Sequence, residues 1–267
     1  MHKLKLIGIP HDSNSSFLRG AALGPSRIRL MEKEGSVNRF SEMGRELVDG
    51  INYQDCGDIE LSTSDSCAAF NTIRDAIWQL LENDSKIISL GGDHSISFPV
   101  LSAFSKKYPN LNVLHFDAHA DLYDNFEDNP YSHASPFARI LEKGVLNSLT
   151  QVGVRTLNTH QKQQAIRFDV KIIEMKDFSL DFIAELKNPL YISLDLDVLD
   201  PAYAPGISHH EPGGMSTRQL IDIIQKIETP IVGADIVELN PKRDNHNMTA
   251  MLAYKLFKEL ASKMIYS

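Results

Sequence analysis

The sequence predicts an α/β fold, a three-layer αβα sandwich around a mainly parallel sheet. Three observations carry this. Short apolar runs recur along the chain and are near-continuous rather than alternating, helix-length stretches separate them, and the loops that follow them are rich in Asp, His and Gly. Near-continuous apolar runs are the mark of strands covered on both faces. Strand alternating with helix implies parallel pairing with helices on both sides of the sheet.

In chain order the strand-like runs are LKLIGI at 4–9, KIISL at 86–90, LNVLHF at 111–116, LTQVGV at 149–154, PLYISLDLD at 189–197 and PIVGADIVEL at 230–239. Helix-like stretches occupy 68–83, 96–107, 132–142, 178–186, 216–227 and 247–264. In the last of these, Met248, Met251, Leu252, Leu256 and Leu260 stand at helical spacing and are expected to face the sheet. No linker, internal repeat or low-complexity tract divides the 267 residues, so residues 1–267 are expected to form a single domain.

Composition narrows the function classes. The 42% hydrophobic content allows a large core. The net charge is −8, and the 27 basic residues are scattered rather than gathered into a stripe that could follow a phosphate backbone, so no nucleic-acid partner is expected. No segment approaches the roughly 20 apolar residues that span a bilayer. The two cysteines, Cys56 and Cys67, suggest neither a disulfide framework nor a thiolate metal site. With an N-terminus that enters a strand-like run directly, these features lead to the expectation of a cytoplasmic protein.

Ligands of open parallel sheets bind beyond the carboxyl ends of strands, and three of those junctions hold chemistry. GGDHS, Gly91 to Ser95, follows KIISL; its glycines permit a sharp turn that delivers His94 to the sheet edge. Alone it reads more simply as a structural turn. DAHAD follows LNVLHF, and an extended backbone would present Asp117, His119 and Asp121 on one side. Two carboxylates crowded beside a histidine in an apolar setting are costly unless positive charge compensates them. SLDLDVLDP repeats the spacing with Asp195 and Asp197, while Leu194, Leu196 and Val198 alternate with them as inward-packing residues. Four carboxylates carry a charge of about −4, which two divalent ions would neutralise. The oxygen-rich, thiolate-free set suits Mn²⁺, and its imidazoles also admit Co²⁺, Ni²⁺ or Zn²⁺.

Together with NSSFLRGAALGPSRIR, YSHASPFARILEKG and GADIVELNPKRD, these motifs resemble the ureohydrolase family of arginases and agmatinases over the whole chain, and look most like arginases of plant type. The resemblance implies an arginase-like fold and an enzyme, a metal-dependent hydrolase of C–N bonds in linear amidines. It assigns His94, Asp117, Asp121 and Asp195 to one ion and Asp117, His119, Asp195 and Asp197 to the other. The ions would share a hydroxide aimed at a guanidinium carbon. His133 would shuttle protons, and Glu238 would receive the substrate's guanidinium through charge-assisted hydrogen bonds. A homo-trimer or hexamer acting on a small cationic guanidino substrate is implied by the same analogy.

The sequence departs from animal arginases at two places. Ile207, Ser208, His209 and His210 replace a threonine-rich turn, and Tyr123 replaces an asparagine that helps hold the amino-acid carboxylate. His209 and Tyr123 are therefore candidate substrate contacts, and Arg155 in VGVRTLN is a candidate partner for a carboxylate. The expected activity is hydrolysis of L-arginine to L-ornithine and urea. The alternatives are agmatine hydrolysis to putrescine and urea, a formimidoylglutamase or other guanidino or formimino hydrolase, and a non-catalytic metal-binding relative.

Overall fold

In the computed structural model, which describes residues 4–34, 37–61, 65–82 and 84–266, eight strands form one sheet. They are β1 (Leu4–Ile9), β2 (Gln54–Asp58), β3 (Lys86–Gly91), β4 (Leu111–Phe116), β5 (Leu146–Val154), β6 (Lys171–Glu174), β7 (Leu190–Asp195) and β8 (Ile231–Val237). The spatial order is β2-β1-β3-β8-β7-β4-β5-β6, and every pairing is parallel. Every residue of β1, β4, β7 and β8 is buried, which is why their sequences show no alternation.

Helices cover both faces. α1 (Gly24–Glu34), α6 (Thr217–Lys226) and α7 (Met248–Tyr266) pack on one side with Ile28, Leu220 and Phe257 in its core. α2 (Ser66–Leu81), α3 (Ser97–Lys107), α4 (Pro136–Glu142) and α5 (Thr159–Arg167) cover the other through Phe70, Val100, Phe137 and Ala165. The sandwich expected from the sequence is the one observed.

Several elements differ from expectation. The edge strands β2 and β6 and the helices α1 and α5 have no counterpart among the expected elements. QDCGD in β2 has no apolar run, and it is held by Arg29 of α1, whose Nε and Nη2 donate to Asp55 at 2.7 and 3.0 Å. The 178–186 stretch forms only a 3₁₀ turn at Asp181–Glu185. The expected end of the 68–83 helix at residue 83 lies outside the described residues. On α7, Met248 and Met251 are 51% and 37% exposed, so the packed stripe is instead Ala250, Ala253, Leu256, Phe257 and Leu260. The helix expected from 132 begins at Pro136, a residue whose fixed φ suits a first turn, and this leaves His133 in the preceding loop.

One glycine is set by contact rather than by a special φ. A Cβ on Gly92 would lie 1.8 Å from the His11 carbonyl oxygen, because His11 and GGDHS cross there and Asp93 N–H donates to that same oxygen at 2.8 Å. Gly92→Ala is expected to cost roughly 1–3 kcal/mol through forced displacement of the crossing segments. Urea denaturation checks this; a variant as stable as wild type would show that the crossing yields freely.

Candidate metal centre

The three Asp/His motifs and Glu238 follow β3, β4, β7 and β8, which are the four adjacent central strands of the sheet. The topology therefore gathers at one point residues more than a hundred positions apart. The backbone does not stay extended through the motifs, contrary to the simple spacing argument. β4 ends at Phe116, Asp121 sits in the left-handed region at φ 51°, and Asp197 lies in a 3₁₀ turn, Leu196–Val198. Local hydrogen bonds fix these turns: Asp117 Oδ1 accepts from His119 N–H at 2.6 Å, and Asp195 Oδ1 from Asp197 N–H at 2.8 Å. Leu194, Leu196 and Val198 are fully buried as expected.

His94 faces three carboxylates at once. Its Nδ1 is 3.1 Å from Asp117 Oδ2, 3.1 Å from Asp121 Oδ2 and 3.2 Å from Asp195 Oδ2. This nitrogen is buried and has no hydrogen-bond partner among the described residues. The opposite ring nitrogen explains why. Nε2 lies 3.0 Å from Ser193 Oγ, whose own hydroxyl donates to Asp235 at 2.7 Å, so Ser193 must accept from His94. With the proton on Nε2, Nδ1 carries a lone pair directed at three carboxylate oxygens. That arrangement is repulsive unless a cation lies between them.

A second cluster shares one carboxylate with the first. His119 Nδ1 is 2.9 Å from Asp197 Oδ2 and 3.3 Å from Asp117 Oδ1. The two oxygens of Asp117 thus face two different histidines. His115, which the sequence did not single out, also reaches Asp117 Oδ2, at 2.8 Å. Its Nδ1 accepts from Gln151 Nε2 at 2.9 Å, so both ring nitrogens are engaged and His115 orients Asp117 rather than offering a free lone pair. Asp235 likewise takes hydroxyl bonds from Tyr191, Ser193 and Ser97, an outer layer invisible to motif spacing.

The titration behaviour follows from crowding. Burial, reinforced by Asp197 and Asp117, pushes the Asp195 carboxyl well up, and burial with Asp117 pushes Asp197 up to about 6. Burial alone would lower His94 and His119, but the surrounding carboxylates outweigh it and raise both. In the metal-free protein, protons occupy the role that cations would fill. The donor set passes the test for two divalent ions: one orphaned imidazole nitrogen, one carboxylate facing two ways and no thiolate.

Above the clusters lies a cleft of about 210 Å³ lined by His119, Asp121, His133, Glu238, Tyr123 and His209, among others. Glu238, at φ 66°, accepts through Oε1 from His94 N–H and pairs with His133 Nδ1, each at 2.9 Å. Burial would lower His133, yet Glu238 raises it to about 9. His209 lies beside His133 with ring centroids 5.1 Å apart and the rings tilted by 38°, and burial with the charge of His133 lowers it. The Tyr123 hydroxyl accepts from Asn158 Nδ2 at 2.5 Å, leaving its own proton free.

Arg155 is not a carboxylate reader. Its guanidinium donates to the carbonyls of Glu211, Asp197 and Gly153 at 2.6, 2.7 and 3.2 Å, stapling the loop that follows β7. The described residues lining the cleft include no Lys or Arg.

Residues 2–262 match the family model described as the Arginase family. The chain is 45% identical to "Arginase 1, mitochondrial" of Arabidopsis thaliana, over 97% of this chain and 80% of the relative, and 33% identical to an agmatinase of Bacillus cereus, over 97% and 90%. It is similar to the structure of an arginase from Medicago truncatula with a TM-score of 0.93 and 41% identity, covering 98% of this chain and 87% of that one. The expected cytoplasmic location is overturned by these relatives, since that of Arabidopsis thaliana is named a mitochondrial arginase. Sparse cysteines alone do not fix a location.

Because Asp197 is raised in the folded state from its ordinary value near 4 to about 6, the metal-free fold binds the extra proton there, and the stability this contributes is present below pH 4 and lost as pH rises through 6. Metal-stripped Asp197→Asn is therefore expected to be more stable than metal-stripped wild type at pH 7, with the gap closing toward pH 4. Excess Mn²⁺ should reverse the order. Urea unfolding at several pH values checks this, and an Asn variant that is weaker at pH 7 without metal would contradict it.

Proposed function

This chain belongs to the arginase family, and from that membership we propose that it hydrolyses L-arginine to L-ornithine and urea with two Mn²⁺ ions. As a member of this family it is a hydrolase of guanidino C–N bonds. The observation that carries the proposal is the unpartnered His94 Nδ1 among three carboxylate oxygens, beside the cluster of His119 and Asp197 that shares Asp117 with it.

We assign His94, Asp117, Asp121 and Asp195 to one ion and Asp117, His119, Asp195 and Asp197 to the other, with Asp117 and Asp195 common to both. Co²⁺, Ni²⁺ or Zn²⁺ would fit the same donors. When bound, the ions supply a water acidic enough to provide hydroxide near neutral pH. The chain's own residues do the rest. Glu238 commits Oε1 to His94 and His133, leaving Oε2 to receive a planar guanidinium in a charge-assisted hydrogen bond. His133, held by that carboxylate at the cleft wall, is placed to carry a proton toward the departing amine. His209 and Tyr123 border the space taken by the rest of the substrate, Tyr123 with a free hydroxyl proton. The same proposal treats residues 1–267 as one ureohydrolase domain that assembles as a trimer or hexamer.

A second proposal is agmatine as substrate. It is favoured by the cleft wall, which among described residues offers a substrate carboxylate no Lys or Arg, and it accords with the agmatinase relative. Urea release from Mn²⁺-reconstituted protein, with L-arginine and agmatine offered separately, decides between them. We expect at least a tenfold higher kcat/KM on arginine, a difference of about 1.4 kcal/mol; preference for agmatine would overturn the first proposal. His119→Asn is expected to lose about one ion per chain and at least 100-fold in turnover. Full turnover in that variant would contradict the ligand assignment, and a wild type without turnover on any guanidino or formimino compound would support a non-catalytic relative.

A further inference from the structure

The Asn14–Ser16 segment is clamped over the cleft by the same turn that delivers His94. Asn14 N–H donates to Asp93 Oδ2 at 3.1 Å and Asn14 Nδ2 to Ser95 Oγ at 3.1 Å. Ser15 Oγ donates to Asp93 Oδ2 at 3.2 Å, and the Asn14 carbonyl accepts from His133 N–H at 3.2 Å. The clamp sets Ser16 Oγ 2.9 Å from His133 Nε2. Ser16 is exposed and lines the cleft, whereas His133 is buried at 9% exposure.

Both ring nitrogens of His133 are therefore committed. The Glu238 carboxylate accepts a hydrogen bond from Nδ1–H, so a neutral imidazole accepts the Ser16 hydroxyl at Nε2 and a protonated one donates to it. We propose that Ser16 is the positioning and relay residue that joins His133 Nε2 to solvent. The Nε2–H bond breaks as a bond to Ser16 Oγ forms, and the hydroxyl's original proton passes to a cleft water, leaving serine neutral before and after. This inference rests on the hydrolase proposal above.

Ser16→Ala and Ser16→Thr, with wild type, are compared for kcat, KM, bound Mn²⁺ and response to added imidazole buffer, on whichever guanidino substrate wild type turns over fastest. Ser16→Ala should lose about tenfold in kcat with KM and Mn²⁺ content unchanged, below the full effect of general acid–base catalysis because His133 itself is retained. High imidazole should restore it, and Ser16→Thr, which keeps the hydroxyl, should stay near wild type. A merely structural serine would show no buffer rescue. Unchanged kcat in Ser16→Ala, or a loss that imidazole does not relieve, overturns the inference alone. A wild type that turns over no guanidino compound overturns the hydrolase proposal and this inference with it.

Discussion

Four buried carboxylates at the carboxyl ends of adjacent strands impose the constraint on which the rest of this structure depends. Asp117, Asp195 and Asp197 are at most 4% exposed and Asp121 is 7% exposed, so water screens them poorly. Desolvated like charges at this spacing are destabilising unless protons or cations compensate them. Protons taken up by His94 and His119 compensate them in the metal-free protein, whereas a neutral His94, whose proton is directed toward Ser193, does not. Two divalent ions would resolve the conflict, and the surrounding architecture maintains the arrangement that they require.

That architecture is a set of polar ties running outward from the cluster. Gln151 and His115 hold Asp117; Asp235, with three hydroxyl donors, holds Ser193 and through it His94. Arg155 closes the loop after β7 with backbone hydrogen bonds, and Asp93 draws the Asn14–Ser15 segment over the cleft. Each tie satisfies buried polar groups while limiting the rotamers available to a residue at the cluster. Misplacing a charged group in a dry site is costly, which is what these ties prevent.

Much of this was legible in the sequence because strands buried on both faces leave continuous apolar runs, and because Asp and His directly after such runs have few structural explanations. β2 was not legible, since its polar run QDCGD depends on Arg29 of another element, and β6, KIIE, is only four residues long. α5, with THQKQQAIR, lacks a strong apolar stripe. At the centre, the motif residues could be read, but the i, i+2 spacing suggested an extended backbone where the chain turns. His115 looked like an ordinary strand residue, Asp235 like part of the run GADIV, and Ser16 like one polar residue in a loop. Their roles arise only when β3, β4, β7 and β8 lie side by side. Arg155 illustrates the opposite error, a charge near the motif whose hydrogen bonds all go to backbone.

The central claim is that two ions share the Asp117 and Asp195 carboxylates. It is tested most directly by low-temperature electron paramagnetic resonance on Mn²⁺-reconstituted protein, with the bound metal counted in the same sample. The account predicts about two ions per chain and the multiline spectrum of an exchange-coupled pair. One ion per chain, or the simple six-line signal of isolated Mn²⁺, would contradict it.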